Sequence, residues 1–524
     1  MKTYYDVHCH VFNKDVIIRK LVNVVQSLLV IKDMVEGEIK AEDLKFKIEG
    51  IERTLKDVTQ DTSEDVFLVL NKVYGENVTS TPLMFDLTYA DDNDDDENEN
   101  RRYRRRIRRV FKIVILLLPF LRGRIKRKLK NEDLVKSIDQ IKKSIEDFYE
   151  DFKKKSDEEV EIFDNANYKQ QIEDLESLSE KYENVKPFFS VDPRREYKAQ
   201  VNTIENLKQK LLGTKPKFSG VKLYAPAGFS PTDPVLMGTD NQEGVYELCL
   251  KNKIPITVHN SNGGFACLSN ILNVRGHVNL NNVVLEMNGP LKFYNRFFSL
   301  RLKEVSRAIP ERAKILNHPK LWQLVLEKYP ELTINFAHFG GSGQIMEYIN
   351  YGIKHVKIDE DEFEDAILPL SKDDQEIIKA AYTKKRDKMV LSPNLTISER
   401  ATLWNALYRA GIIDNWAKAI FDLVKNRDYP NAYTDLSCFS EGTIIDTDND
   451  KQVFSIKEEL ITFKTNFFDK LDDYEKSKIL YGSDYYLTQF FGPSMEQYFS
   501  DFREAFGDDF DVIASDNPKR FLNL

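Results

Sequence analysis

The stretch PKLWQLVLEKYPELTINFAHFGG, residues 319–341, sets the pattern for the whole chain. Its first half, PKLWQLVLEKYP, reads as a helix. LTINFAH, residues 332–338, is a short, almost continuous apolar run that ends on His338. A run of that length without strict polar alternation is what a parallel strand buried on both faces looks like. Helix followed by buried strand is the repeating unit of α/β folds.

The same unit recurs on both sides. Strand-like runs lie at 3–8 (TYYDVH), 82–88 (PLMFDLT), 186–192 (KPFFSVD), 218–224 (FSGVKLY), 254–259 (IPITVH), 431–436 (NAYTDL) and 478–483 (KILYGS). NQEGVYELCLKN precedes the fifth strand and NWAKAIFDLVKNRDYP the seventh. Eight such units predict an α/β fold of the (β/α)8 barrel type, with a helical insertion on its C-terminal face. A doubly wound open sheet is the structural alternative, but no glycine-rich nucleotide fingerprint supports a nucleotide-binding version of it. Residues 1–89 then begin the barrel with strands one and two, 90–165 form the insertion, and 166–524 hold strands three to eight.

Composition narrows the function. The 524 residues are 41% hydrophobic and 11% aromatic, ample for a globular core, and the net charge of -9 argues against a nucleic-acid partner. Four scattered cysteines, Cys9, Cys249, Cys267 and Cys438, form no C-x-x-C pair, which points to a reducing, cytoplasmic compartment. No leader sequence is visible, and no apolar run reaches the length of a membrane-spanning helix.

The insertion is the least ordinary segment. The acidic tract DDNDDDENEN at 91–100 is followed by RRYRRRIRRVFKIVILLLPFLRGRIKRKLK at 101–130, with fourteen basic residues and no acidic one. Residues 110–121 are apolar apart from Lys112, too short a run to span a bilayer. Three readings compete, in this order: a buried or subunit-interface helix, a membrane-surface element touching anionic lipid, and a nucleic-acid arm. Pro119 is expected to end or bend the helix. The partners expected are a small-molecule substrate, a second copy of the chain, and a membrane surface through 101–130.

Chemistry concentrates at strand ends. His8 and His10, in YYDVHCHVFN, are one residue apart, so they project from the same face of a strand. Alone, such a pair is more often chance than a ligand pair. The fifth strand, however, ends at His259, the sixth at His338, and Asp484 follows the eighth. Four imidazoles and a carboxylate on one rim suit a divalent metal, with zinc first and Mn(II), Fe(II) or Co(II) also suitable. No G-x-S-x-G elbow offers a serine nucleophile. His277, His318 and His355 receive no role.

At these residues the chain resembles the amidohydrolase superfamily. The resemblance is to the branch that includes 2-amino-3-carboxymuconate semialdehyde decarboxylase, resorcylate decarboxylases and pyrone-dicarboxylate lactonase. It is carried by DVHCH at 6–10, GVKLY at 220–224, ITVHN at 256–260, the block at 318–341, YPNAYTDLS at 429–437, ILYGSDY at 479–485 and NPKRFLNL at the C-terminus. Residues 90–165 and the long loops after strands five and six have no counterpart in it. The resemblance implies that His8, His10, His259 and Asp484 bind one metal ion. It implies that His338 is catalytic, orienting or deprotonating the attacking water and later donating a proton. Asp484 shuttles that proton as well as ligating. Lys222 lies inside the fourth strand, and one metal is favoured over a pair bridged through it, leaving Lys222 to contact an acidic substrate group or to serve structure. Asn260-Ser261-Asn262 departs from the branch's usual sequence after the strand-five histidine. The expectation is a metal-dependent hydrolase whose activated water attacks an amide, ester or lactone bond. A non-oxidative decarboxylase of a small carboxylic acid is the alternative, and a non-catalytic scaffold or membrane-associated barrel the third possibility.

Overall fold

The computed structural model describes residues 2–12, 41–58, 62–75, 77–90, 132–157, 165–267, 269–296, 302–353, 357–440, 442–446, 452–485 and 487–524. Within 108–131 it describes 108, 111–112, 115, 118–123 and 125–127. The acidic tract at 91–100 and His355 lie outside the described residues.

The architecture is mixed α/β. The strands that answer to the expected eight are β1 (Tyr4–Cys9), β2 (Val78–Pro82), β3 (Phe188–Val191), β4 (Gly220–Leu223), β5 (Ile256–Ser261), β6 (Ile334–Gly340), β7 (Ala432–Asp435) and β8 (Ile479–Leu480). Six of them form one parallel sheet in the sequential order β3-β4-β5-β6-β7-β8. β1 and β2 form a separate parallel pair, with Tyr4 opposite Val78 and Asp6 opposite Ser80. That pair touches both edges of the larger sheet. Val7 N–H donates to Tyr481 O at 3.3 Å and His10 N–H to Tyr485 O at 2.9 Å. On the other side, Ser80 N–H donates to Asn184 O at 2.8 Å and Met84 N–H to Phe188 O at 3.1 Å.

One strand is displaced from its expected place. The apolar run at 82–88 is not a strand; β2 lies just before it. Pro82 has no N–H to continue a ladder. Beyond it, side chains take the backbone donors: Phe85 N–H goes to Gln171 Oε1 at 3.1 Å and Asp86 N–H to Ser190 Oγ at 3.1 Å. A buried loop satisfied this way has the same apolar composition as a buried strand.

The helices that precede β5, β6 and β7 run over Val245–Lys251, Pro319–Lys328 and Trp416–Val424. Helix Pro319–Lys328 starts because Pro319 fits the first turn and the His318 side chain accepts the Lys320 N–H. It buries Leu321, Trp322, Val325 and Leu326, while Trp416–Val424 buries Trp416, Ile420 and Phe421. Both faces of the sheet's strands are buried, as their apolar runs require.

Long excursions follow the C-terminal ends of four strands. After β2, the described residues of 108–127 are helical and bury Phe111, Leu118, Leu121 and Ile125. They share a core with Leu134, Val135, Ile138, Ile141 and Ile145 of helix Glu132–Asp157, and Arg122 pairs with Asp139 at 2.7 Å. Phe111, Leu118 and Leu121 are thus covered by protein while Phe120 is 41% exposed, and Pro119 lies within a helical stretch over 118–123 rather than ending it. After β5, an antiparallel hairpin spans Ile271–Leu280 and Val283–Lys292. After β6, residues 357–413 build a second hydrophobic core around a three-stranded antiparallel sheet. After β7 comes a short hairpin, Thr443–Asp446 with Gln452–Ser455. Among the described residues, no helix is long and apolar enough to cross a membrane.

Candidate metal centre

β1 delivers His8 and His10 to one end of the strands. The chain after β8 returns to meet them: Asp484 N–H donates to His8 O at 2.6 Å and Ser483 N–H to Asp6 Oδ1 at 2.9 Å. Asp6 is fully buried and also accepts from Ser483 Oγ at 2.6 Å and Tyr74 Oη at 2.7 Å. Burial pushes its carboxyl up to about 6 even against those bonds. Asp6 therefore acts as the clasp that sets Asp484 beside His8. Gly482 is required for the approach, since a Cβ there would sit 2.9 Å from the His8 Cβ.

The backbone at the centre is held in unfavourable conformations. Asp484 has φ 51°, and His338 and Phe339 have φ 70° and 47°. A left-handed phenylalanine costs on the order of 1–3 kcal/mol unless its surroundings fix it. Here Phe339 packs among Phe421, Phe463 and Phe467. Gly340 follows at φ 80°, and a side chain there would lie 2.6 Å from the Ala417 nitrogen. Helix Trp416–Val424 thus presses the end of β6 into the turn that aims His338 inward.

His8, His10 and Asp484 form one group whose ligand atoms all lie within 4.8 Å of one another. His10 Nε2 is 3.1 Å and His8 Nε2 3.5 Å from Asp484 Oδ1. Tetrahedral ligands at ~2.0–2.2 Å from zinc stand roughly 3.3–3.6 Å apart; the His8 distance falls in that range and the His10 distance is slightly shorter. His8 Nε2 and Asp484 Oδ1 are both buried and have no hydrogen-bond partner. Such orphaned atoms are costly in a core and call for a cation. His10 is oriented from behind by its Nδ1, 3.0 Å from Leu83 O.

A second group, His8, His338 and Asp435, lies beside the first. His338 Nε2 is 3.0 Å from His259 Nδ1, and His338 Nδ1 is 2.9 Å from Ser437 Oγ. His259 has its other nitrogen 3.0 Å from Gly263 O and its ring stacked on Tyr224. The expected ligand set is therefore gathered in two parts. His8, His10 and Asp484 converge directly, while His259 stands one imidazole away, against His338. Lys222 is 1% exposed on β4, 6.0 Å from the Tyr224 ring centre, and its charge reaches both His259 and His338.

The electrostatics favour bare ligands. Burial and the neighbouring His8 hold His338 down to about 4. Burial, His338 and Lys222 hold His259 well below the usual imidazole range. Burial alone would raise the Asp484 carboxyl, but the contact with His10 and the nearby imidazoles of His8 and His338 prevail and hold it well below the usual carboxylate range. Asp435 is held down in the same way by His8 and His338. Neutral imidazoles beside ionised carboxylates are the protonation states that cation binding needs.

No family model, curated protein or solved structure matches this chain. The case for the centre rests on its own geometry. Asp435, Ser437 and Asn335 were given no part in it by the sequence pattern. Asp435 carried a visible signal, a carboxylate closing the apolar strand NAYTDL just as Asp484 closes KILYGS. Of the histidines given no role, His318 caps its helix and contacts Asp414 at 2.9 Å, and His277 meets Thr232 Oγ1 at 3.0 Å.

Proposed function

We propose that the chain is a metal-dependent hydrolase of the amidohydrolase type on a closed (β/α)8 barrel, acting on an amide, ester or lactone bond. Closure is supported by the β1–β2 pair bonding to the chain at both edges of the six-stranded sheet. It is also supported by one small core that joins Tyr5 and Val7 of β1, Phe188 of β3, Tyr433 of β7 and Leu480 of β8. The observation that carries the functional reading is the buried His8 Nε2 facing the buried Asp484 Oδ1, neither satisfied by the protein.

His8, His10 and Asp484 would hold one divalent ion, zinc being the first choice for two imidazoles and a carboxylate. His259 would complete the set on exchanging its contact with Gly263 for the ion. When bound, the ion supplies an acidified water and a polarised carbonyl. His338 is the acid–base residue. Neutral and buried, it can accept a proton on a ring nitrogen and return it to the leaving group. Ser437, bonded between His338, His8 and Asp435, steadies its ring. Phe12, Phe85 and Tyr224 line the side between β1 and β5 with aromatic rings, which keeps the surroundings poor in water.

A second reading, decarboxylation of a small carboxylic acid, is favoured by Lys222, a buried cation whose charge reaches His259 and His338 and could hold a carboxylate. Metal content should be measured on purified protein, followed by turnover of ester, lactone and amide panels with and without chelator. Carbon dioxide release from carboxylic acids separates the two readings. An absence of bound metal after incubation with zinc, manganese, iron(II) and cobalt would reject both.

A further inference from the structure

The two metal-capable groups share His8, and the hydrogen bonds decide between them. Asp435 receives five contacts. Its Oδ1 accepts the His338 N–H at 2.9 Å, the Ser437 N–H at 3.0 Å and the Ser437 hydroxyl. Its Oδ2 accepts from Asn335 Nδ2 at 2.7 Å and lies 3.2 Å from His8 Nδ1. An ionised carboxylate only accepts, so the His8 contact requires a proton on Nδ1. A neutral His8 protonated at Nδ1 has a bare Nε2, and that atom is the buried one without a partner facing Asp484. With its lone pairs already met by donors on β1, on β6 and just after β7, Asp435 has little left to offer a cation.

We infer that Asp435 is a positioning residue that locks His8 in its Nδ1–H form, so that the centre takes a single ion on the Nε2 side with His10 and Asp484, and none in the His8–His338–Asp435 group. The inference rests on the reading of the centre as a metal site, but the tautomer it demands exists without metal. The lock also spans three strands, because the same carboxylate ties β1 to the backbone of His338 on β6 and to Ser437 after β7. Loss of the carboxylate would release His8 to rotate, or to carry its proton on Nε2 instead and share it with Asp484. A histidine ligand held by a carboxylate on its other nitrogen is both oriented and made more basic, and removal of such a partner costs 10–100-fold in metal affinity.

Two measurements test it. In chelator-treated protein labelled with 15N-histidine, long-range proton–nitrogen spectra should show His8 protonated at Nδ1 and bare at Nε2. Addition of 113Cd2+ should place cadmium–nitrogen coupling on the Nε2 of His8 and leave Nδ1 uncoupled. An Nε2–H tautomer in the apo protein, or coupling at Nδ1, overturns the inference. Separately, Zn2+ titration against a chromogenic chelator should give one ion per chain, with affinity 10–100-fold weaker in Asp435→Asn. Two ions in the parent protein, one of them lost in Asp435→Asn, would make Asp435 a ligand and overturn it. Unchanged affinity in a folded Asp435→Asn would do the same. The spectra need no variant, so they decide the matter even where Asp435→Asn does not fold. A parent protein that binds no metal at all would remove the proposed function, while the tautomer of His8 would still report on Asp435.

Discussion

His8 Nε2 and Asp484 Oδ1 face each other across 3.5 Å inside the protein with no hydrogen bond to either atom. Two lone pairs in that position repel unless a cation or a proton lies between them. Removing either partner should therefore remove the ion. His8→Ala and Asp484→Ala are expected to purify with little metal, read by elemental analysis. Stripping the parent protein with chelator should lower its Tm. Saturation at 100 times Kd adds about 2.7 kcal/mol to stability. Full metal occupancy in both variants would show that other residues hold the ion.

His338→Asn should keep the metal and lose turnover. The ring, proposed to accept and donate protons, is not in the group with His10 and Asp484, so metal content is expected to match the parent. Activity on a true substrate should fall by ~10²–10⁴-fold. Near-normal turnover would move the acid–base role elsewhere.

The depressed His338 imidazole also sets a pH dependence. Folded, it titrates near 4; unfolded, near the ordinary value of 6.5. Between those values the unfolded chain binds the extra proton, so stability rises with pH through the window. The contribution is fully present above about 6.5 and is lost as pH falls toward 4. It amounts to on the order of 3 kcal/mol. Urea unfolding of chelator-treated protein at several pH values should show this slope, and His338→Asn should flatten it. An equal slope in both proteins would assign the acid sensitivity to other groups.

Leu118 and Leu121, completely buried in the apolar half of the basic insertion, should behave as core residues. Leu118→Ala is expected to cost ~2–5 kcal/mol by chemical denaturation. Co-sedimentation of the parent protein with anionic liposomes, together with an Ala variant of unchanged stability, would favour a lipid-facing role instead.

Much of this architecture was legible because buried parallel strands advertise themselves. IPITVH, LTINFAH and NAYTDL are apolar, short and flanked by helix signals, and β5, β6 and β7 lie within or beside those runs. The metal-capable trio was legible because its members sit at strand ends, where sequence position fixes direction. The second strand lies earlier than its apolar run because, past Met84, the side chains of Gln171 and Ser190 take the backbone donors that a ladder would use. Strand-end position alone points His259 at the ion, yet ring orientation depends on what else competes for its nitrogens. Here Gly263 O and His338 do, and neither contact has a local sequence signature. Asp435 went unassigned for the same reason: its role lies in five contacts drawn from three strands, and only the folded chain brings them together.

The clasp between Asp6 and Ser483 joins positions 477 residues apart. A loop of that span closes slowly, since its contacts come only after nearly everything between is ordered. During synthesis at about 5–20 residues per second, His8 and His10 would wait on the order of half a minute or longer before Asp484 emerges. Until then β1 has no partner on its β8 side, and the two histidines lack the carboxylate that completes their grip. A high-affinity ion would therefore enter only after translation has passed Asp484, and retention of that ion would report that the first strand has met the last. Chains arrested before residue 484 should remain metal-poor and expose β1 to proteolysis.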